Sequence, residues 1–347
     1  MKILAIDLGK FKSVACLHTD AAEDADFQTV DTSRETFRQL LVQSAADIVV
    51  FETCTAAGWL ADLCDELGLK FAIANPNGEA WRWKNIKRKT DRDDALKLAR
   101  LYYLKELPTV YMPSYETRSK RSLLKFRERV ISHRVAVQNE IRALFQAQGI
   151  NLARGGTLWT KAGREMLRAE CRDLAECGPT EFWRGQLKFL VDSLDHLTTQ
   201  ENDLERKLDA LATKDVNVKR LMTIPGVGRC TAEVVCAYID DAKRFHNGRE
   251  VSSYAGMVPR QYQSGEQDRR GRISKSGPKL LRKRLVECSW LLLRYNPWGA
   301  QLHHKLSRGQ KTRKKQAAVA VARRLLVRCW AMLRDGTDWN EQLATVT

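Results

Sequence analysis

The first part of the chain alternates short apolar runs with amphipathic segments. Runs typical of β-strands occupy residues 3–8, 13–19, 26–31, 47–53 and 70–76. The short GKFK connection between the first two runs is typical of a hairpin. Helices are predicted after Thr32 or Ser33, which can act as N-caps, over 58–68 and after Thr90. This order, β-β-β-α-β-α-β-α, predicts a mixed sheet covered by helices, as in ribonuclease-H-like domains.

The remaining chain is predicted to be mostly helical. One long charged helix is expected from residue 115 to about 149, and residues 151–180 are predicted to be irregular because they contain glycine and proline breaks. In a second long helix, 181–213, leucines recur at steps of three, four and seven, a pattern typical of a coiled-coil seam. The seam can pair within the chain or with a second subunit. We therefore predict three domains, 1–112, 113–217 and 218–347.

Composition narrows the class of protein. The chain has 347 residues with 44% hydrophobic and 29% charged positions, which predicts a globular cytoplasmic protein. No apolar run approaches the 18 residues that a membrane span needs. The N-terminal apolar run is broken by Asp7 and Gly9, which favours a strand over a signal peptide. Nine scattered cysteines without a CxxC pair favour buried reduced thiols.

The positive charge is concentrated in the C-terminal half. The formal net charge is +17, and residues 288–334 contain eleven Lys or Arg and no acidic residue. Residues 243–284 contain twelve basic and three acidic residues. Such an excess predicts a polyanionic partner such as DNA or RNA, held mainly by this half.

The segment KTDRDDALKLAR, residues 89–100, contains three aspartates that are crowded in a basic chain. Asp91 and Asp94 are three apart and would share one helix face. Asp7 lies inside a predicted buried strand and Glu52 ends an apolar run, and an unpaired carboxylate is costly in either place. Four carboxylates at one end of a sheet would suit Mg²⁺ or Mn²⁺. The Asp-x-Gly hairpin also occurs in actin-like ATPases, but its only later counterpart, Asp335-Gly336, lies outside any strand pattern.

The C-terminal half contains several candidate phosphate contacts. In 219–239, Gly226 and Gly228 lie in a turn between two predicted helices, as in helix-hairpin-helix motifs. Ser264 lies in a polar stretch close to a cluster of guanidinium and ammonium groups. The predicted contacts in and after this stretch are Arg269, Arg270, Arg272, Lys275, Lys279 and Arg282. A basic turn before the last helix adds Lys311, Arg313, Lys314 and Lys315.

Several of these segments occur together, and in the same order, in DEDD-type insertion-sequence transposases, the bridge-RNA-guided recombinases. The strand AIDLGKFKSV, the pattern NP…KTDxxDA and the pattern GxxPxxxxSG…GRISKxG carry the resemblance, which covers most of the chain. It implies a RuvC-like domain whose four acids fall on Asp7, Glu52, Asp91 and Asp94. The nucleophilic serine would fall on Ser264, although this chain has an acidic Glu266-Gln267-Asp268 after it and Ser274 and Ser276 nearby.

The resemblance also implies an activity and partners. Such enzymes cut and rejoin DNA through a phosphoserine link and select donor and target by pairing with a structured RNA. Their active site is shared between subunits, so a homodimer or homotetramer is expected. Two other hypotheses remain open: a RuvC-like endonuclease that uses water, for which Ser264 is dispensable, and a non-catalytic RNA-binding scaffold.

Overall fold

The computed structural model describes residues 1–19, 25–76, 78, 90–264 and 267–340. The chain divides into two compact units, Met1–Arg118 and Ser119–Thr347. The predicted separation of a connector from a C-terminal domain within the second unit stays a prediction.

The first unit contains a five-stranded mixed sheet. Its strands are β1 (Lys2–Asp7), β2 (Lys12–Thr19), β3 (Asp26–Asp31), β4 (Ile48–Glu52) and β5 (Phe71–Ala74). The strand order is β3-β2-β1-β4-β5, with β1 antiparallel to β2 and parallel to β4. The predicted hairpin and mixed sheet are thereby confirmed.

Three helices cover the sheet: α1 (Arg34–Ser44), α2 (Ala57–Glu66) and α3 (Asp91–Tyr103). Because side chains alternate along a strand, β1 buries Leu4 and Ile6 among α1 and α2, and Ile3 and Ala5 against α3. β4 alternates in the same way. The central strands are therefore apolar on both faces, which explains their continuous hydrophobic runs.

The second unit is mostly helical. Its helices are α4 (Tyr115–Ala147, which begins in the first unit), α5 (Lys161–Ala169), α6 (Phe182–Ala212), α7 (Val216–Met222), α8 (Arg229–Ile239), α9 (Gly248–Tyr254), α10 (Lys279–Tyr295), α11 (Pro297–Ser307) and α12 (Lys314–Asp335). Two strands, β6 (Pro259–Ser264) and β7 (Gln267–Ile273), form a separate antiparallel pair.

The prediction that residues 151–180 are irregular is wrong for its middle part. α5 forms there, with Thr160 as its N-cap and Leu167 buried. Glycines lie before it, within it at Gly163 and after it, and because it buries only one apolar side chain the sequence favoured an irregular segment.

The two long helices α4 and α6 share a core within the chain. Ile141 and Phe145 of α4 pack with Leu187, Val191 and Leu194 of α6. The Nε of Arg134 also donates to a carboxylate oxygen of Glu201 at 2.6 Å. Three of the seven seam leucines, Leu187, Leu194 and Leu208, are buried within the chain, and Leu211 is exposed, so pairing of the seam with a second subunit stays a prediction.

The cysteine thiols are unpaired. All nine are free, and four of them, Cys16, Cys64, Cys288 and Cys329, are buried, whereas Cys54 is exposed. Burial raises the pKa of the Cys16 thiol to about 11. Within the residues that the structure describes, no helix is both long and apolar enough to cross a membrane.

Candidate active site and nucleic-acid surface

Two of the predicted acids end neighbouring parallel strands. Ile6 of β1 pairs with Phe51 of β4, so Asp7 and Glu52 occupy the next position on each strand, at its carboxyl end. Alternation places both on the face of Ala5 and Val50, which packs against α3. The sheet topology therefore brings the two carboxylates to the same edge and the same face.

The three aspartates of α3 have different environments. Asp93 is exposed and completes a capping box: its carboxylate accepts from the backbone N–H of Thr90 at 3.1 Å and from the Thr90 hydroxyl at 2.6 Å. Asp94 is only 7% exposed and lies next to Ala95, which packs on the face of Ala5 and Val50. Asp91 is exposed in the first turn, where the helix dipole favours a negative charge. One aspartate thus caps α3, while Asp94 is buried on the side that covers the sheet.

A cavity of about 490 Å³ opens at this edge of the sheet. Its lining includes Leu8, Gly9 and Lys10, which directly follow Asp7, and Cys54, Thr55 and Ala56, which follow Glu52 by one residue. Gly9 makes the tight turn possible, because a Cβ there would lie 2.0 Å from the Lys12 carbonyl oxygen. The cavity lies at the carboxyl ends of β1 and β4, but its lining includes Leu8 and Trp59, which pack with the core of α1 and α2, and none of the four predicted acids.

The carboxylates fit a hard divalent cation in the chemistry of their oxygens and in the face that Asp7, Glu52 and Asp94 share. In the described residues, however, no three His, Cys, Asp or Glu side chains form a cluster that could hold a metal ion. Asp7, Glu52 and Asp94 therefore supply suitable oxygen ligands at one edge of the sheet, but they are not grouped as closely as the ligands of a bound metal ion.

The predicted turn between two helices is confirmed as a structure. It connects α7 to α8, Gly226 has a φ of +92°, and Gly228 is the N-cap of α8. Asn296 Nδ2 donates to the Pro225 carbonyl at 3.3 Å, which ties the turn to the start of α11. Phosphate binding by the amides of this turn stays a prediction.

Arg229, the first residue of α8, is engaged by carboxylates. It forms ion pairs with Glu205, with Asp209 at 2.7 Å and with Glu233 at 3.2 Å. Burial raises the pKa of the Glu233 carboxyl, an effect that Arg229 partly opposes. This ion-pair network ties α6 to α8, so Arg229 has a structural role beside the turn.

Ser264 is the last residue of β6. The antiparallel register pairs Ser264 with Gln267, so only residues 265 and 266 connect β6 to β7. Those two residues, and the side chains of Ser264 and Arg270, lie outside the described part of the chain. The sequence indicates only a polar stretch here, and the two strands were not predicted. β6 and β7 contain only one strand-forming residue each, Tyr262 and Ile273, so the sequence offers no apolar alternation that could have predicted them.

The base of this hairpin is a tightly packed backbone junction. The Ser274 amide donates to the Val258 carbonyl at 2.8 Å, and the Lys275 amide donates to the Gly256 carbonyl at 3.0 Å. Gly256 and Gly277 both have positive φ. A Cβ on Gly256 would lie 1.8 Å from the Ser276 carbonyl oxygen, so this position requires glycine.

Arg282 supports the same junction from α10. Its Nη1 donates to the carbonyls of Ala255 at 3.0 Å and of Ser276 and Gly277 at 2.9 Å each. Partial burial lowers the pKa of this guanidinium. The basic stretch predicts Arg282 as a nucleic-acid contact. In the structure, however, its Nη1 is hydrogen-bonded to the protein backbone. Sequence spacing alone contains no signal for this role.

Most of the other predicted contacts are accessible. The exposed side chains are those of Arg269, Arg272, Lys275, Lys279, Lys311, Lys314 and Lys315, and Arg313 is half-buried. Trp81 and Trp83, which basic residues flank in the sequence and which could stack on unpaired bases, lie outside the described residues. The exposed cations form a surface suited to a polyanion.

Comparison with known proteins decides the family. Residues 218–304 match the description "Transposase IS116/IS110/IS902 family", and residues 4–148 match the DEDD transposase domain of the same group. The chain is 30% identical over 295 residues to the transposase for insertion sequence element IS1111A of Coxiella burnetii, covering 82% of this chain and 79% of that protein. The chain belongs to the IS110 family of transposases.

Other relatives extend over nearly the whole length of the transposase. It is 25% identical to the transposase for insertion sequence element IS1328 of Yersinia enterocolitica, over 98% of each chain. It is 29% identical to a probable family 20 transposase of Pseudomonas aeruginosa, over 88% of each chain. The protein is therefore a DNA transposase, and the DEDD domain match is consistent with its mixed α/β first unit.

Proposed function

We propose that this transposase cuts and rejoins DNA strands through a phosphoserine intermediate on Ser264, with Mg²⁺ or Mn²⁺ held in a RuvC-like first unit. The observation that carries the proposal is the placement of Asp7 and Glu52 at the ends of adjacent parallel strands, on the face that packs against the helix of Asp94. Carboxylate oxygens are the ligands that Mg²⁺ and Mn²⁺ prefer, so two of them at adjacent strand ends support a cation site there.

Asp7, Glu52, Asp91 and Asp94 would hold the metal. The bound ion would stabilise charge on the phosphate and on the attacking and leaving oxygens. The residues of the chain position this chemistry: the core of the sheet orients Asp7 and Glu52, and the cap of Thr90 and Asp93 fixes where α3 begins.

The serine step conserves the energy of the phosphodiester bond. The Ser264 Oγ attacks phosphorus and loses its proton, a P–O bond to serine forms, and the bond to one sugar oxygen breaks. That oxygen leaves as a hydroxyl once protonated. In rejoining, a hydroxyl of another strand attacks the same phosphorus and releases serine, so neither water nor a nucleotide cofactor is consumed. Exposed Arg269 and Arg272 would stabilise the phosphate charge.

A structured guide RNA is the proposed second partner, together with donor and target DNA, in a homodimer or homotetramer. The exposed cations of the second unit support binding of more than one polyanionic chain. RNA guidance predicts that digesting the co-purified RNA abolishes sequence-directed joining while the protein remains folded.

Covalent trapping tests the mechanism. Protein with its co-purified RNA, Mg²⁺ and DNA that spans the joined element ends and a target should give a protein–DNA adduct, mapped by mass spectrometry to Ser264. Ser264→Ala and Asp7→Asn should each remove it, while the matched variants Ser274→Ala and Ser276→Ala retain it. Nicked DNA without an adduct, unchanged by Ser264→Ala, would instead establish a nuclease that uses water.

A further inference from the structure

We infer that a groove between α4 and α10 binds the phosphodiester backbone of a nucleic acid strand, and that α4 supplies one of its walls. The groove has a volume of about 750 Å³ and lies within the second unit. The inference rests on the proposed function, because it names a further binding site for the nucleic-acid partner. From the sequence, α4 belongs to the predicted connector, and none of its residues is a predicted nucleic-acid contact.

Cations line both walls at helical spacing. Lys125 and Arg129 are four residues apart on α4, so they share one helix face, and both are exposed. Lys279 and Lys283 have the same spacing on α10 and line the opposite wall. Exposed Lys and Arg side chains on both walls suit the negatively charged phosphates of a nucleic acid strand.

The charges within the groove do not balance. Five Lys or Arg side chains line it, Arg121, Lys125, Arg129, Lys279 and Lys283, against one carboxylate among its described lining residues. That carboxylate, Glu128, is paired with Lys283 at 2.6 Å, with Arg127 at 3.4 Å and with Arg284.

Of the four groove cations that Glu128 does not pair with, Arg121 donates to the Ala237 and Tyr238 carbonyls, and the other three are Lys125, Arg129 and Lys279. Within the described part of the chain none of the three has an acidic partner, and Arg129 lies over the Phe126 ring at 5.4 Å. Like charges gathered in a concave surface repel unless an anion joins them, which favours a bound polyanion.

The floor of the groove indicates what part of the nucleic acid is contacted. Tyr238 is 4% exposed and lies under the Arg121 guanidinium at 5.0 Å, and Tyr254 packs on Phe245 at 5.4 Å. Neither ring presents a free face for base stacking. The groove therefore contacts phosphates and not bases, so its binding is independent of sequence.

The position of the groove relates it to the serine hairpin. Gly277 and Pro278, which connect the base of the hairpin to α10, line one end of it, and exposed Lys275 lies two residues earlier. A strand in the groove would pass this base. Nucleic acid bound in the groove would therefore lie beside the hairpin of Ser264.

The test compares two double variants that remove the same charge. Lys125→Ala/Arg129→Ala alters the groove, and Lys207→Ala/Lys214→Ala alters two exposed lysines of the same unit that do not line it. Affinity is measured by fluorescence anisotropy with labelled random-sequence DNA and with a labelled RNA hairpin, at several salt concentrations. The groove variant is expected to bind about 10-fold more weakly, with a salt slope smaller by about 1 to 2. The control pair should stay within about twofold of wild type.

Each outcome decides the inference. A loss confined to DNA or to RNA identifies the strand that the groove holds, whereas equal binding by the two double variants overturns the site. In wild type, bound nucleic acid should protect Lys125 and Lys279 from acetylation but not Lys207 and Lys214, and absence of that protection would also overturn it. The Ser264 adduct is scored separately, so an absent adduct with an intact groove effect would refute only the proposed mechanism.

Discussion

The β1–β2 pair and the β6–β7 pair are both antiparallel, but they are stabilised in different ways. β1 is hydrogen-bonded on both sides, to β2 and β4, and Ile3, Ala5 and Ile6 are fully buried. β6 pairs only with β7 in the described residues, and Tyr262 within it is 61% exposed. An isolated two-stranded hairpin is marginally stable in water. The acids at the sheet edge are therefore positioned by core packing, whereas the Ser264 hairpin depends on the junction at its base.

The largest effect is expected from a substitution in the hydrophobic core next to Asp7 and Glu52. Phe51 is fully buried, stacks with Phe71 at a ring distance of 6.0 Å, and directly precedes Glu52. Phe51→Ala should lower the free energy of unfolding of the first unit by about 3 to 5 kcal/mol. Urea denaturation monitored by circular dichroism measures this change in unfolding free energy. A decrease below about 1 kcal/mol would contradict the conclusion that core packing positions Asp7 and Glu52.

The next effect concerns the base of the serine hairpin. Gly256→Ala should greatly reduce formation of the Ser264–DNA adduct, because the new Cβ cannot fit 1.8 Å from the Ser276 oxygen. Gly309→Ala is the matched control: its φ is +70°, but nothing lies within 4 Å of the new Cβ, so only about 1–2 kcal/mol of backbone strain is added. Equal adduct yields from the two variants would show that the junction does not position the hairpin.

A smaller effect is expected for the side chain that supports this junction. Arg282→Lys retains the charge but loses the planar group that bonds three carbonyls, at a local cost of about 1–3 kcal/mol. Hydrogen exchange of the amides of Ser274 and Lys275 should accelerate about 10-fold or more. If Arg282 acted only on nucleic acid, exchange in the free protein would be unchanged.

The smallest effect is expected at the start of α3. Thr90→Ala removes the N-cap side chain and one partner of Asp93, which should lower the unfolding free energy by about 1 kcal/mol. Metal-dependent DNA cleavage should fall far less than in Asp7→Asn. Comparable losses of cleavage in the two variants would mean that the cap and not the acid edge limits activity.

The strands and helices of the first unit agree closely with the prediction from sequence, because the sequence patterns that predict them are local. Continuous apolar runs predicted the buried strands, and Thr90 as an N-cap predicted where α3 begins, whereas the part of Asp93 in the cap is seen only in the structure. The hairpin of Ser264 was missed because exposed strands have no hydrophobic alternation. α5 was missed because it buries only Leu167 in the midst of glycine-rich chain.

The sequence by itself determined the elements of the sheet, the candidate acids and the basic character of the C-terminal half, since these depend on residue type and on spacing along the chain. Only the tertiary structure decided that Asp7 and Glu52 end adjacent strands, that Arg282 faces the backbone of a hairpin base, and that α4 lines a basic groove. Each of these relations joins residues distant in sequence, and packing, which no local pattern records, brings them together.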